Sequence, residues 1–291
     1  MRHFFIVNPT AGTGYSLEVE ECMARLMQKE FHQEFRFFHT EGVGHATKIA
    51  AELAHGREKG VVFSVGGDGT ASEVAAGLAG TQVPMGIIPA GTGNDFIKSV
   101  GIPAQPEQAL RFAMTHEAKA VDLGRVNDRI FLNVCGTGFD VTVLDYAEGL
   151  KRRFRGLTPY LLGLLKAIAH YRAVQLRVSI DGAEEEGKYL VCSAANGRYI
   201  GGGIPICPAA NTGDGKLDAV LIRDVPGWRI PFYLPGLMMG RDLHFRIARH
   251  VLAEQITITG KNLRVNVDGE ILSMDRADFR VLPRALQLIC P

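Results

Sequence analysis

The stretch Val61-Val62-Phe63-Ser64-Val65-Gly66-Gly67-Asp68-Gly69-Thr70 is an apolar run that stops in glycines around one aspartate. The chemistry that fits it is phosphate binding. Glycine lets backbone approach an anion with no Cβ between them. A helix read over residues 71–78 would aim its first N–H groups at that anion. Asp68 adds a carboxylate suited to a divalent cation carried on the phosphates. A plain strand-to-helix turn needs one glycine, and Gly66, Gly67 and Gly69 make three.

Two further segments have the same character. Asn8-Pro9-Thr10-Ala11-Gly12-Thr13-Gly14 follows the apolar run 4–7, and Pro89-Ala90-Gly91-Thr92-Gly93-Asn94-Asp95-Phe96 follows 85–88. One glycine loop after a strand is common. Three of them, each at the C-terminal end of a strand, mark the ligand edge of an open parallel sheet. No Gly-Lys-Ser/Thr follows the glycines and no G-x-G-x-x-G spacing occurs, so these are neither Walker A loops nor dinucleotide fingerprints.

The elements that must hold these loops alternate. Strands are read at 4–7, 34–38, 60–65 and 85–88, and helices at 17–31, 44–55, 70–79 and 106–115. Such alternation implies a parallel sheet covered by helices. From about Val121 the runs 129–134, 174–180, 187–194, 216–222, 255–260, 262–267 and 280–282 are β-branched or alternating, with turn signals between them. That pattern is an antiparallel sandwich, interrupted by one helix at 158–170. The expected fold is therefore an α/β N-terminal domain, 1–121, with a nucleotide site at the strand C-terminal ends, followed by a mainly antiparallel β-sandwich domain, 122–276. Residues 277–291 either end the second domain or return to the first.

Bulk properties agree with two globular domains. The chain has 291 residues, of which 46% are hydrophobic and 22% charged, and a net charge of +1. That balance gives no basic field for nucleic acid. Five scattered cysteines without a C-x-x-C pair fit a reducing compartment. The N-terminus runs straight into a strand-like run, 4–7, and a cleavable leader is not expected. The best apolar run, 157–169, is too short to span a bilayer and contains Lys166. The expectation is a soluble cytoplasmic protein.

A second set of candidates is ambiguous. Asn266-Val267-Asp268-Gly269-Glu270-Ile271 presents two carboxylates around a glycine, yet Asp-Gly between apolar runs is also the strongest hairpin signal. Ser179-Ile180-Asp181-Gly182-Ala183, followed by three glutamates, reads as a plain solvated hairpin, and local pattern does not separate the two. Asn211-Thr212-Gly213-Asp214-Gly215-Lys216-Leu217-Asp218 is a loop or a cation site built from one carboxylate and carbonyls, without a full EF-hand series. Arg198-Tyr199-Ile200-Gly201-Gly202-Gly203 lines a cleft or makes a wide turn. Lys151-Arg152-Arg153-Phe154-Arg155, beside an apolar helix, is a solvated face or a patch for an anionic membrane. The nine histidines lack metal spacing, and His244 and His250 are read as structural.

Taken in order, Asn8-Pro9-x-x-Gly12, Gly66-Gly67-Asp68-Gly69-Thr70, Gly91-Thr92-Gly93-Asn94-Asp95, Asn196-Gly197-Arg198-Tyr199 with 201–203, Asp214-Gly215-x-Leu217-Asp218 and Asp268-Gly269-Glu270 resemble the bacterial diacylglycerol kinase-like lipid kinases, relatives of sphingosine and ceramide kinases. The resemblance covers residues 8–291, although Gly-Gly-Asp-Gly alone is shared with NAD kinases and phosphofructokinases. It implies a two-domain enzyme with its active site in the interdomain cleft and 277–291 returned to the first domain. ATP is the implied phosphoryl donor, with Mg2+. The implied catalytic residues are Glu270, Asp268 and Asp68. Implied nucleotide contacts are Asn8, Pro9, Thr10, Ala11, Gly12, Thr40, Gly66, Gly67, Asp68, Gly69, Thr70, Glu73, Gly91, Thr92, Asn94 and Asp95. A structural Mg2+ is implied at Asp214, with carbonyls of Asn211 and Lys216. The expected partner is a lipid at the inner membrane face, engaged reversibly from the cytoplasm; a homodimer is left open and nucleic acid is not expected. The acceptor is diacylglycerol by default, with phosphatidylglycerol, undecaprenol and sphingoid bases open. The rival readings are an NAD kinase-like phosphotransferase and a catalytically silent nucleotide-binding regulator.

Overall fold

The computed structural model of the chain describes residues 2–150, 158–241 and 246–291. They divide into two compact units, 1–123 with 282–291, and 124–281; the sequence pattern put the first break near 121, and the resemblance implied the second at 277. None of the described helices is long and apolar enough to cross a membrane.

In the first unit, β1 (Arg2–Val7), β2 (Phe35–His39), β3 (Gly60–Gly66), β4 (Pro84–Pro89) and the end of β13 (Glu270–Ile289) form a parallel sheet. Their order is β13-β4-β3-β1-β2. β3 is buried along its whole length, as a continuous apolar run requires in a sheet covered on both faces. Phe5 of β1 stacks on Phe63 of β3 at 4.7 Å. Helices α1 (Tyr15–Leu26), α2 (His45–His55), α3 (Asp68–Leu78), α4 (Asp95–Val100) and α5 (Pro106–Thr115) connect and cover the strands. The single helix expected at 17–31 is α1 followed by a π turn, Met27–Phe31, closed by His32 at φ +51°. The chain leaves β1 for β2 on one side and returns to β3 on the other. Loops after β1 and β3 therefore diverge, which opens a crevice at that edge. β5 (Ala118–Val126) carries Asp122, whose carboxylate accepts the Arg284 N–H at 2.7 Å.

In the second unit the strands are β6 (Arg129–Phe131), β7 (Val134–Gly138), β8 (Val174–Ile180), β9 (Ala183–Ala195), β10 (Leu217–Arg223), β11 (Ala248–Ala253), β12 (Gln255–Val267) and the start of β13. Their pairings are antiparallel. β9 and β12 are long enough to hold β8 and β7 end to end between them. The period-two alternation of β10 feeds two cores. Ala219 and Leu221 join Phe131, Val178, Tyr189 and Phe279, while Val220 and Ile222 join Phe139, Ala167 and Ile230.

Three expectations are corrected here. The described residues hold three α-helices in this unit, α6 (Phe139–Leu150), α7 (Thr158–Ala169) and α8 (Ile230–Met238), where the pattern gave only 158–170. β-branched Val141, Thr142 and Val143 disguised α6, and Pro231 and Pro235 disguised α8. Runs 255–260 and 262–267 are one strand with a register shift between Thr259 and Leu263. Run 129–134 splits between β6 and β7.

Candidate nucleotide and catalytic site

The three glycine loops meet at the C-terminal edge of the parallel sheet. Asn8 is their hub. Its N–H donates to the Val65 carbonyl at 3.0 Å, and its amide donates to Thr70 Oγ1 at 3.2 Å. Its Oδ1 accepts from Thr10 N–H and Oγ1. The first loop is thereby tied across the crevice to the second. Gly12 sits at φ +58°, and a Cβ there would lie 2.4 Å from the Ala90 carbonyl oxygen. A Cβ on Gly91 would lie 2.4 Å from the Gly67 Cα. The loops pack backbone on backbone, which only glycine permits. Gly66 is likewise demanded, by Thr70 Oγ1 at 2.4 Å from its would-be Cβ. Gly69 is different: it is exposed and faces open space.

Asp68 opens α3, and its Oδ1 accepts the Phe96 N–H at 3.0 Å. It thus caps α4 from the neighbouring loop. Burial pushes its carboxyl above the ordinary range, opposed by N–H groups of Phe96 and Asp95 and reinforced by the nearby Asp95 charge. Asp95 is buried and accepts from Lys98 Nζ at 2.8 Å. Asn94, left-handed at φ +48°, spends its amide on both backbone groups of Gly91, at 3.2 and 2.8 Å. Thr70 is buried. Thr40 follows β2 and donates its N–H to the Val7 carbonyl. Glu73 accepts N–H groups of Gly44 at 2.9 Å and Ala46 at 3.1 Å, so it caps α2 and fixes the loop after Thr40. The structure therefore gathers the 8–12, 66–70 and 91–95 loops, with Asn94, Thr70 and Glu73 bonded into the scaffold. Thr10, Gly69 and Thr92 are exposed.

In the second unit, Val267 pairs with Glu270 across a two-residue turn, with Asp268 at φ +46° and Gly269 at φ +98°. This is the I′ hairpin that Asp-Gly favours. The turn also has a second task. Asp268 Oδ2 accepts the Leu132 N–H at 2.6 Å, and Oδ1 accepts those of Asn133 and Val134 at 3.0 and 3.2 Å. Glu270 is exposed and reaches Arg129 at 3.4 Å. The supposedly plain hairpin at 179–183 is not plain: Asp181 Oδ1 accepts N–H groups of Glu254 and Gln255 at 3.1 and 2.9 Å. Both Asp-Gly turns use the aspartate as a backbone clamp.

Sequence reading missed Asp140, at the start of α6. Asn266 Nδ2 lies 3.4 Å from its Oδ2, its Oδ1 has no partner among the described residues, and burial raises its carboxyl. Asn266 in turn accepts the Gly269 N–H at 2.8 Å, linking Asp140 to the Asp268-Gly269 hairpin. Its sequence signal was an acid closing Gly136-Thr137-Gly138-Phe139-Asp140 between strand and helix.

The 211–218 turn is held by Asx bonds. Asn211 Oδ1 accepts the Gly213 N–H at 3.2 Å and Asp214 Oδ1 the Lys216 N–H at 3.0 Å. One carboxylate with carbonyls suits a hard cation in donor type. No group of three or more His, Cys, Asp or Glu among the described residues is arranged for a metal. Segment 198–203 is a turn closed by the Ile200–Ile204 bridge. His250 Nδ1 lies 3.5 Å from Cys207 Sγ. The 151–155 cluster and His244 lie outside the described residues.

Comparison with known proteins adds the lineage. A family model for the diacylglycerol kinase catalytic domain matches residues 2–126, and one for the YegS C-terminal NAD kinase beta sandwich-like domain matches 133–290. A Mycobacterium tuberculosis protein named diacylglycerol kinase is 31% identical over 250 residues, covering 84% of this chain and 80% of its own. A Pseudomonas aeruginosa protein named "Probable lipid kinase YegS-like" is 34% identical over 271 residues, covering 91% and 87%. A crystal structure of a diacylglycerol kinase from Bacillus anthracis superposes with a TM-score of 0.77 at 28% identity, over 100% of this chain and 97% of that one. With both units matched and the nucleotide-type loops in place, the chain belongs to the diacylglycerol kinase-like lipid kinase family.

Proposed function

We propose that the chain transfers the γ-phosphoryl group of ATP to the hydroxyl of a lipid, with diacylglycerol the first acceptor to test. The observation that carries the reading is the gathering of three glycine loops at the switch point of the parallel sheet, with Asp68 at a helix start and Gly69 facing open space. Phosphoryl transfer needs positioning and charge neutralisation more than covalent help. The loop N–H groups, Thr40 and Thr92 hold the nucleotide. Mg2+, when bound, neutralises phosphate charge; Asp68, with Asp95 beside it, would hold that ion, and Asp214 with the Asn211 and Lys216 carbonyls would hold a structural one. Glu270 takes the proton of the lipid hydroxyl as its oxygen attacks phosphorus. Asp268, occupied by three backbone donors, positions the hairpin.

The test is an assay of purified protein with labelled ATP against diacylglycerol, phosphatidylglycerol, undecaprenol, a sphingoid base and NAD. Label in a lipid is the expected result. Label only in NAD would establish the NAD kinase rival. ATP binding without any labelled product would establish a silent regulator.

A further inference from the structure

The segment 226–241 is apolar on both of its sides, although only one side is covered. Ile230, Tyr233, Leu234 and Leu237 of α8 pack into the second core of their unit. The opposite side carries Trp228, Phe232, Met238 and Met239, with Trp228 67% and Phe232 75% exposed. Pro231 and Pro235 extend the same exposed side. Single exposed apolar residues are ordinary, but a contiguous set of large ones marks an interaction surface. A helix apolar all round is normally enclosed. The Trp228 end lies beside the end of α7, since a Cβ on Gly227 would sit 3.6 Å from the Ile168 carbonyl oxygen and 3.7 Å from Tyr171. α7 adds a second exposed apolar stripe, Leu161 and Leu165.

Within the two segments that form this surface the full charges have one sign. Residues 225–241 and 158–173 contain Arg229, Arg241, Lys166 and Arg172 and no acid. All four are exposed. An acid stands at each border of 225–241: Asp224, which accepts the Tyr171 hydroxyl at 2.7 Å, and Asp242, which lies outside the described residues. Arg229 lies over the Trp228 ring at 4.9 Å. We propose that the exposed side of 226–241, led by Trp228 in the turn before α8 and Phe232 on α8, docks on the surface of an anionic lipid bilayer, with the flanking arginines on the headgroups. Aromatic rings with basic neighbours favour the membrane–water interface. A second copy of the chain is the poorer occupant. In a two-fold dimer the same patch meets itself, which would set these cations against their own copies.

The proposal extends the lipid-kinase reading by naming the surface that brings the chain to its substrate, but its test does not depend on turnover. Trp228 is the only tryptophan in the chain, so its fluorescence reports directly on the face. Adding vesicles of phosphatidylcholine with phosphatidylglycerol should shift its emission to the blue and shield it from an aqueous quencher. Pure phosphatidylcholine should do so more weakly, and high salt should reduce the effect on the anionic vesicles. Phe232→Ala, which keeps the reporter, should lower vesicle affinity about tenfold, and Arg229→Glu with Arg241→Glu should lower it for anionic vesicles alone. Both variants should retain turnover on detergent-dispersed lipid. An unchanged Trp228 spectrum with anionic vesicles at low salt overturns the proposal. So does a blue shift that appears with protein concentration alone, accompanied by dimer in sedimentation. Vesicle binding without phosphorylation of any lipid would sustain the docking face and refute the kinase reading. Phosphorylation of dispersed lipid without vesicle binding would do the reverse.

Discussion

Asp268 and Glu270 sit two residues apart on one turn and have unlike surroundings. Asp268 accepts three backbone N–H groups, whereas Glu270 is exposed beside Arg129. Glu270→Gln keeps shape and removes the proton acceptor, so turnover should fall roughly a hundredfold to ten-thousandfold with ATP affinity and unfolding temperature unchanged. Glu184→Gln, on the other Asp-Gly hairpin, should change nothing. Asp268→Asn should lower the unfolding temperature as well as activity, because an amide turned toward the Leu132 N–H costs about 1–3 kcal/mol. Equal unfolding temperatures for the Glu270 and Asp268 variants would sink this division of labour. Asp68 gives a pH test. Its carboxyl is raised by burial, so its contribution to stability is fully present when it is protonated and is lost as pH rises through the raised value. Asp68→Asn should therefore match or exceed the wild-type unfolding temperature at neutral pH, lose that advantage on acidification below the ordinary aspartate range, and be inactive. Unfolding curves for both proteins across pH decide it. The carboxylates themselves were legible in the sequence. What they touch was not, because Asp268 and its three donors lie more than a hundred positions apart.

At the scale of elements, the glycine loops were readable because each follows an apolar run, and a strand's end fixes where its loop begins. Why each glycine is needed was not readable, since that depends on which loop lies against which. The structure separates them. Gly91→Ala would drive a Cβ into Gly67 and should strongly destabilise the first unit. Gly69→Ala meets nothing and, in the first turn of α3, should leave the unfolding temperature unchanged while weakening ATP binding if phosphate approaches there. Thermal unfolding and nucleotide titration of the two variants test this directly. Glu73 was named from resemblance as a nucleotide contact, and the structure gives its carboxylate to the start of α2. Loss of such a cap in Glu73→Ala should cost about 0.5–2 kcal/mol and raise the KM for ATP through the Thr40 loop. α6 and α8 escaped the sequence pattern because tertiary packing, not local preference, makes them helical.

At the scale of the molecule, the chain leaves the first unit after Leu123 and re-enters it at Leu282. Residues 282–291 supply a sheet strand paired with β4 and bury Leu286, Leu288 and Ile289. Full burial of such side chains contributes about 1.5–3 kcal/mol each, a sum comparable with the whole stability of a domain. Truncation after Val281 should therefore unfold the first unit and abolish ATP binding; retention of ATP affinity would contradict the account. The sequence left this segment undecided because its alternating residues suit either sheet. The same threading sets an order of events during protein synthesis. Domains tend to fold as they emerge from the ribosome, N-terminal first. Here the unit whose residues emerge first lacks a strand until all of 124–281 has been made. Its exposed sheet edge must wait through the synthesis of the whole of 124–281, a period in which a chaperone or a neighbouring nascent chain could occupy it.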